Sequence, residues 1–562
     1  MAQAVDRGFA VTEDNVAAVV ELCRRLDGVA LAIELAAARV PLLGLTGLVA
    51  SLDERLRLLT GGGPTAPLRQ RTLRAALQWS HGLLDEAEQT VFRRLAVFAG
   101  SMALDSALRV AADGDASAAI AGRPGVDEWD SLDALAALVD RSLVAVVGQG
   151  DEAPRYRLLD TVHAFALERL QAAGDEDAMR QRHLEAMRLL FEPALAERYG
   201  GRVAVDEWQR RLEPDCANGL AAVSWAIAHD DPLGALAIAP ALFHAMAAAA
   251  MRRQAAALWL AVEPLLDEPR LQAAAPALVG RAAGACSSFW ADTEPKRSLA
   301  RARQAVRALN ETDDRIGRFL ALARVTWPAS RTGEKAVADE ALRAMRELED
   351  PAWPAIVRLY RAEAEYLALL NSGDFDGALR CTRRQADLER AAGWSNAFAA
   401  ANAVHAALAA GRTAEAADEG RALVASLGDS RQSRVLAFVR LNLFAALLAE
   451  GALIEAREVA IEGWPQARPF GLRAWWADHL ALLAALERRP RTAARLVGYA
   501  DAAYGRTRSA RKFNEARSME RALDRARLAL GDEAVARYRY EGAGLDDAAV
   551  DTLALGAPGS CD

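Results

Sequence analysis

The chain has 562 residues, 52% of them hydrophobic and 26% charged, with a formal net charge of −8. That length needs several cores, and the acidic balance excludes a chain that holds nucleic acid chiefly by bulk electrostatics. Five scattered cysteines with no CxxC spacing exclude a disulfide framework and a zinc site.

The apolar content is mostly Ala and Leu, which favours closely packed helices. Positive charge is carried almost wholly by arginine, the only lysines being Lys296, Lys335 and Lys512. There is no signal-peptide pattern at Met1–Arg7. The longest apolar run, Ala235 to Met251, contains Pro240 and His244 and falls short of the roughly 20 apolar residues of a membrane helix. A cytoplasmic protein without a membrane span is expected.

In chain order, residues 12–26 predict an amphipathic helix with Thr12 at its N-cap and Val16, Val19, Val20, Cys23 and Leu26 on one face. Further helices are predicted at 30–39 and 46–59, and Gly61–Pro64 is a linker. Helices at 72–83, 85–98, 104–112 and 130–142 follow, with Asp85 and Glu88 spaced as a capping pair. Leu143–Val147 and Tyr156–Leu159 around a turn-rich stretch predict a hairpin, and 161–172 a closing helix. Helices followed by a hairpin make a winged helix.

That unit is acidic: Asp85 to Asp160 holds 14 acidic and 7 basic residues. The expected recognition helix, 130–142, carries Asp130, Asp133 and Asp140 against Arg141 alone. Phosphates would be repelled, which argues against direct DNA binding.

From about 176 onward the pattern is helical. Gly333, Gly373, Gly411 and Gly451 are each followed five residues later by an alanine (Ala338, Ala378, Ala416, Ala456), at spacings of 40, 38 and 40. Thr293 with Ser298 precedes this register and Arg489 with Ala494 continues it. A small residue at a turn and an alanine where the next helix packs closely encode a helical-hairpin solenoid. Trp394, Trp464, Trp475 and Trp476 fall in the repeats, where they either fill the core or anchor a partner on a concave face.

None of the three lysines follows a glycine, so the chain holds no Gly-Lys-Ser/Thr phosphate loop. HExxH and GxSxG are absent too. A non-enzymatic chain is expected.

The wording of several stretches resembles bacterial signal-transduction ATPases of the NB-ARC/STAND type, in the branch of transcriptional regulators that continues into tetratricopeptide-like repeats. Leu22–Arg39 resembles that family's "CxxLxGLPLAIELAAAR" segment. Arg69–Ser80, Leu83–Glu88, Phe92–Gly100, Leu138–Leu143 and Tyr156–Ala166 resemble its winged helix, and Trp208–Trp225 its entry into the repeats. The resemblance implies the part of such a regulator that follows the P-loop half. Gly28, Ala30 and Asp160 match its nucleotide-lid positions. Ala30 stands where the family has proline, and only the aspartate of the "MHD" sensor is kept, at Leu158-Leu159-Asp160. Asp160 serves equally well as a helix N-cap.

The expected fold class is mainly α. A helical lid-like subdomain (1–63) leads to a winged-helix regulatory domain with its small β-hairpin (64–175). Irregular helical pairs (176–290) then precede a tetratricopeptide-like α-solenoid (291–545) and a tail (546–562). The expected function is a signal-transduction and transcriptional-regulation module whose repeats bind a protein partner or small ligand and whose winged helix relays the event. ATP or ADP enters only if a separate P-loop half completes the site, and a separately encoded ATPase/DNA-binding subunit is a further candidate partner. The alternatives are a DNA-binding regulator and an ATPase with an unrecognised site.

Overall fold

The computed structural model describes residues 12, 15–25, 40, 44–45, 47, 77–78, 81–113, 125–141, 143–148, 153–248, 251–395, 397–428, 434–468, 470–507 and 509–556. The expected helices at 30–39 and 46–59, the 61–64 linker, most of the 72–83 helix, and Gly28 and Ala30 lie outside them. The chain divides into two units, one of residues 1–190 with 214–234, the other of 191–213 with 235–562.

In the first unit the helix Val16–Arg25 buries Leu22 while Val16 and Val20 are exposed. The helix Glu86–Arg94 starts on a reciprocal cap: Asp85 Oδ1 accepts the Glu88 amide at 2.8 Å, and Glu88 Oε2 accepts the Asp85 amide at 3.0 Å. The helix Glu128–Asp140 starts the same way on Asp127 and Asp130. Between them stands the helix Leu104–Ala111.

Three short strands form one antiparallel sheet: β1 (Met102–Ala103), β2 (Ala145–Val147) and β3 (Arg155–Arg157), in the order β1-β3-β2. The hairpin is shorter than its sequence pattern. Leu143, Val144 and Leu158 leave the strands and enter the core instead. β1 was not expected, because two residues cannot show an alternation of period two. The helix Asp160–Ala173 closes the module and stops at Gly174, whose φ of 73° makes a left-handed cap.

Arg155 and Asn218 explain why 214–234 belongs to this unit. Arg155 Nη2 donates to Asp215 Oδ1 at 2.7 Å, and Asn218 Oδ1 accepts the Ala99 amide at 2.9 Å.

The second unit is a succession of helical hairpins. Pro276–Trp290 pairs with Pro295–Asn310, Arg315–Thr332 with Lys335–Leu348, Ala355–Ser372 with Phe375–Ala391, and Phe398–Ala409 with Thr413–Leu427. Arg434–Glu450 then pairs with Leu453–Gly463, and Arg473–Leu486 with Pro490–Thr507. Gly333, Gly373, Gly411 and Gly451 all sit at the turn within a hairpin with φ between 78° and 83°. In each case the next residue's amide bonds back over five residues, as Glu334 does to the Ala329 carbonyl at 2.9 Å. Ala378, Ala416 and Ala456 are wholly buried five residues on, letting the second helix approach.

The two outer members of the register need correction. In the last hairpin the left-handed residue is Arg488 (φ 64°), one place before Arg489, and its alanine is Ala493. Thr293 is not left-handed; its hairpin is closed by Ser298 Oγ, which donates to the Ser287 carbonyl at 2.9 Å.

The stretch expected as a tail contains the helix Asp547–Ala554, capped by Asp546 and burying Val550 and Ala554. Pro490–Thr507 and Asp532–Ala543 meet backbone to backbone: a Cβ on Gly498 would lie 2.0 Å from the Arg539 carbonyl oxygen, and one on Gly542 2.0 Å from that of Arg495. Gly498→Val is therefore expected to destabilise the C-terminal helices by about 1–3 kcal/mol, with faster amide exchange in Asp532–Ala543. Gly505→Ala in the same helix, where nothing lies within 4 Å, leaves that exchange unchanged.

Candidate functional site

The first helix of each hairpin carries cavity-lining residues at three- and four-residue spacing, such as Arg324, Trp327 and Ser330, or Tyr360, Glu363 and Tyr366. They line a cavity of about 2280 Å³ within the second unit. Twelve of its fifty-three lining residues are Phe, Trp or Tyr, in a chain that is 6% aromatic. Nine are Arg or Lys and two, Asp292 and Glu363, are acidic. An acidic protein thus surrounds a basic, aromatic hollow.

Three groups of side chains set its chemistry. Arg198 and Arg324 meet at Tyr199: the Arg324 Nη2 donates to Tyr199 Oη at 3.2 Å, and the Arg198 guanidinium carbon lies 5.7 Å from the Tyr199 ring centre. His244 Nε2 is 3.4 Å from the same hydroxyl. Burial, reinforced by the two arginines, pushes His244 well below the usual imidazole range, so it is neutral at physiological pH.

In the second group Asp292 stands among Arg434, at 2.7 Å, Arg331, at 4.0 Å, and Arg252. Burial would raise its pKa, but these cations hold it below the usual carboxylate range. The third is Lys512, whose Nζ donates to Ser330 Oγ at 2.5 Å. Burial and the neighbouring Arg331 lower its pKa to about 8.

Glu363 is pushed up to about 7 by burial and by Glu389, which is itself raised by burial to about 7. A carboxyl whose folded pKa exceeds its unfolded value near 4.3 favours folding least above the folded pKa, because the unfolded chain then sheds its proton first. Glu363→Gln is accordingly expected to raise the melting temperature more at pH 8 than at pH 5.5. Parallel thermal scans at the two pH values check this.

Of the residues singled out in the sequence, Trp394 and Trp475 line the cavity. Trp464 and Trp476 do not: they are 2% and 0% exposed, core residues and no surface anchors. Asp160 is the first residue of its helix, not the N-cap, which is Leu159. Its carboxylate lies 3.4 Å from Arg157 Nη2 and favours the positive end of the helix dipole. The sequence reading missed Arg198, Arg324 and Asp292; arginines recurring with tryptophan at helical spacing (Arg324, Trp327, Arg331) were the available signal.

Among the described residues no group of His, Cys, Asp or Glu could hold a metal ion, and no helix is long and apolar enough to cross a membrane.

The helix Glu128–Asp140 exposes Glu128, Asp130, Asp133 and Asp140 and carries no basic residue. Trp129 on the same surface is 76% exposed. As a surface for phosphates this helix is repulsive.

Residues 84–171 match the family model described as "Winged helix-turn-helix domain". A Mycobacterium tuberculosis (strain ATCC 25618 / H37Rv) protein named as an HTH-type transcriptional regulator is 37% identical over 323 residues, covering 56% of this chain and 34% of that protein. An uncharacterised protein of the same strain is 41% identical over 182 residues, covering 32% of this chain and 44% of the other. The chain thus spans about a third of the first relative's length and under half of the second's.

Among solved structures, a STAND protein with a tetratricopeptide repeat sensor from Pyrococcus horikoshii is 13% identical. It covers 90% of this chain and 74% of its own, with a TM-score of 0.36. A Rap protein complexed with competence and sporulation factor is 14% identical, covering 58% of this chain and 99% of its own, with a TM-score of 0.37. Residues 84–171 of this chain thus match a winged-helix model, and the same chain holds the helical-hairpin unit with its basic cavity.

Proposed function

We propose that this chain is a non-enzymatic regulatory and sensor module of a STAND-type transcriptional regulator. Its helical repeats bind a small ligand or a protein partner, and its winged helix passes that event on. The observation that carries this reading is the large basic and aromatic cavity in the repeat unit of a chain that also contains a winged-helix match. The name of the mycobacterial relative supports the regulatory part. The winged helix acts through protein contacts and not on DNA, in keeping with the four carboxylates exposed on Glu128–Asp140. ATP or ADP is engaged only where a P-loop half completes the site.

The test is transcript profiling of cells that lack the chain. A discrete set of transcripts changes on deletion. The wild-type chain restores it, and Ala409→Trp, which places an indole at the cavity wall, does not. Unchanged transcripts on deletion sink the regulatory reading. A sequence-selective mobility shift by the purified chain at about 150 mM salt, where non-specific phosphate contacts are weak, replaces it with the DNA-binding alternative. ATP turnover that co-purifies with the chain and is lost on cavity substitution replaces it with the enzymatic one.

A further inference from the structure

We infer that the cavity receives a small organic anion, its acidic group held by Arg198 and Arg324 and its flat apolar body laid against the aromatic side chains around them. This rests on the reading that the repeat unit is the binding part of the chain.

The main evidence is an arginine whose donors are left largely without an acceptor and whose charge has no counter-charge. Arg198 is 3% exposed and lines the cavity, yet its Nε and Nη1 have no hydrogen-bond acceptor. Its surroundings are ring faces: the guanidinium carbon lies 5.2 Å from the Trp208 ring centre and 5.5 Å from that of Trp394. Such faces ease the burial of a cation without neutralising it. Arg324 bonds only neutral oxygens, Ser288 Oγ at 3.0 Å and Tyr199 Oη at 3.2 Å. Among the described residues neither arginine makes an ion pair.

The other buried arginines of the chain each have a carboxylate beside them: Arg361 is paired with Glu349 at 2.5 Å, Arg440 with Glu462 at 3.1 Å and Arg489 with Glu487 at 2.8 Å, and Arg331 stands 4.0 Å from Asp292. A buried guanidinium without a counter-charge is costly, and its planar fork fits the two oxygens of a carboxylate or phosphate.

Nearby acids do not fill the gap. Asp292 is taken by Arg434 and Arg331, and Glu363, at about 7, is half-neutralised by a proton at neutral pH. The excess of positive charge on the walls would also draw an anion in from solution. The aromatic walls supply the second half of the recognition, since ligand sites combine an apolar body with a few placed polar groups.

Calorimetry on the full chain tests this with 2-naphthoate, 2-naphthyl phosphate, neutral 2-naphthamide and inorganic phosphate. At least one naphthyl anion is expected to bind about tenfold or more tighter than the amide, as a charge-assisted fork contact implies. The tighter of the two anions identifies the acidic group as carboxylate or phosphate. Inorganic phosphate, without the ring, binds more weakly than naphthyl phosphate. Arg324→Gln removes about tenfold of the anion affinity and leaves the amide unchanged; Arg198→Gln does the same, and Arg198→Lys keeps part of it.

Because Arg198 is buried, Arg324→Gln carries the test if the Arg198 variants fail to fold. The inference is overturned if the amide binds as tightly as the anions, or if Arg324→Gln leaves anion affinity unchanged. It is also overturned if neither naphthyl anion binds. Anion binding together with unchanged transcripts on deletion would keep this inference and remove the regulatory reading. Transcript control without anion binding would do the reverse.

Discussion

Replacing Arg511 by alanine is expected to lower the stability of the repeat unit by about 3–5 kcal/mol at high pH, the usual cost of leaving a buried charge alone. The loss is smaller at low pH, where Asp478, which burial raises to about 7 even beside Arg511, takes up a proton. Arg511 Nε lies 2.9 and 3.1 Å from the two oxygens of Asp478, a residue that is fully buried, and Nη2 lies 2.8 Å from Asp501 Oδ1. The guanidinium also stands 4.7 Å from the Tyr504 ring centre. One side chain thus joins the helices Arg473–Leu486 and Pro490–Thr507 to the segment leading into Phe513–Leu530. The loss is read as a shift of the urea midpoint of the repeat unit, with the winged-helix transition followed separately. Arg511→Met combined with Asp478→Leu recovers most of that loss, because it removes the orphaned charge as well as the pair. If the double variant is as unstable as Arg511→Ala, the orphaned carboxylate is not the cause.

Trp476→Ala is expected to cost a similar amount, about 3–5 kcal/mol, through the void that a missing indole leaves in a packed core. Trp476 is wholly buried and stacks on Phe444, with ring centres 5.2 Å apart and planes at 17°. The opposite helix makes room for it with Gly463, where a Cβ would lie 2.3 Å from the indole edge. Trp476→Phe costs less, and Gly463→Ala is destabilising although it adds apolar surface. Circular dichroism melts of the three variants rank them. A harmless Gly463→Ala would show that the indole has room to move.

Much of the fold was legible because its signals are local. The reciprocal cap of Asp85 and Glu88 and the glycines at the hairpin turns each announce a backbone geometry that few residues satisfy. The register slipped where that link fails: Arg488 adopts the left-handed conformation that glycine marks elsewhere, and its side chain gives no hint of it. The serine pair of Ser287 and Ser298, with oxygens 3.0 Å apart, does at one turn what a left-handed residue does at the others. β1 is too short to leave a pattern.

The candidate site was far less legible. Arg198 and Arg324 are assembled from helices distant in sequence, and an arginine in a helical pattern reads as a solvated face until packing shows otherwise. The tryptophans divided for the same reason. Trp475 and Trp476 are adjacent and both buried, yet only Trp475 lines the cavity, since successive residues of a helix point about 100° apart.

The near-monopoly of arginine over positive charge has a practical side. Of 68 basic side chains only Lys296, Lys335 and Lys512 carry a primary amine, and two of these, Lys335 and Lys512, line the cavity. Amine chemistry on this chain is therefore almost a footprint of one location. Reductive methylation followed by mass spectrometry would report whether the hollow is filled, with Lys296 as the internal reference and no engineered label.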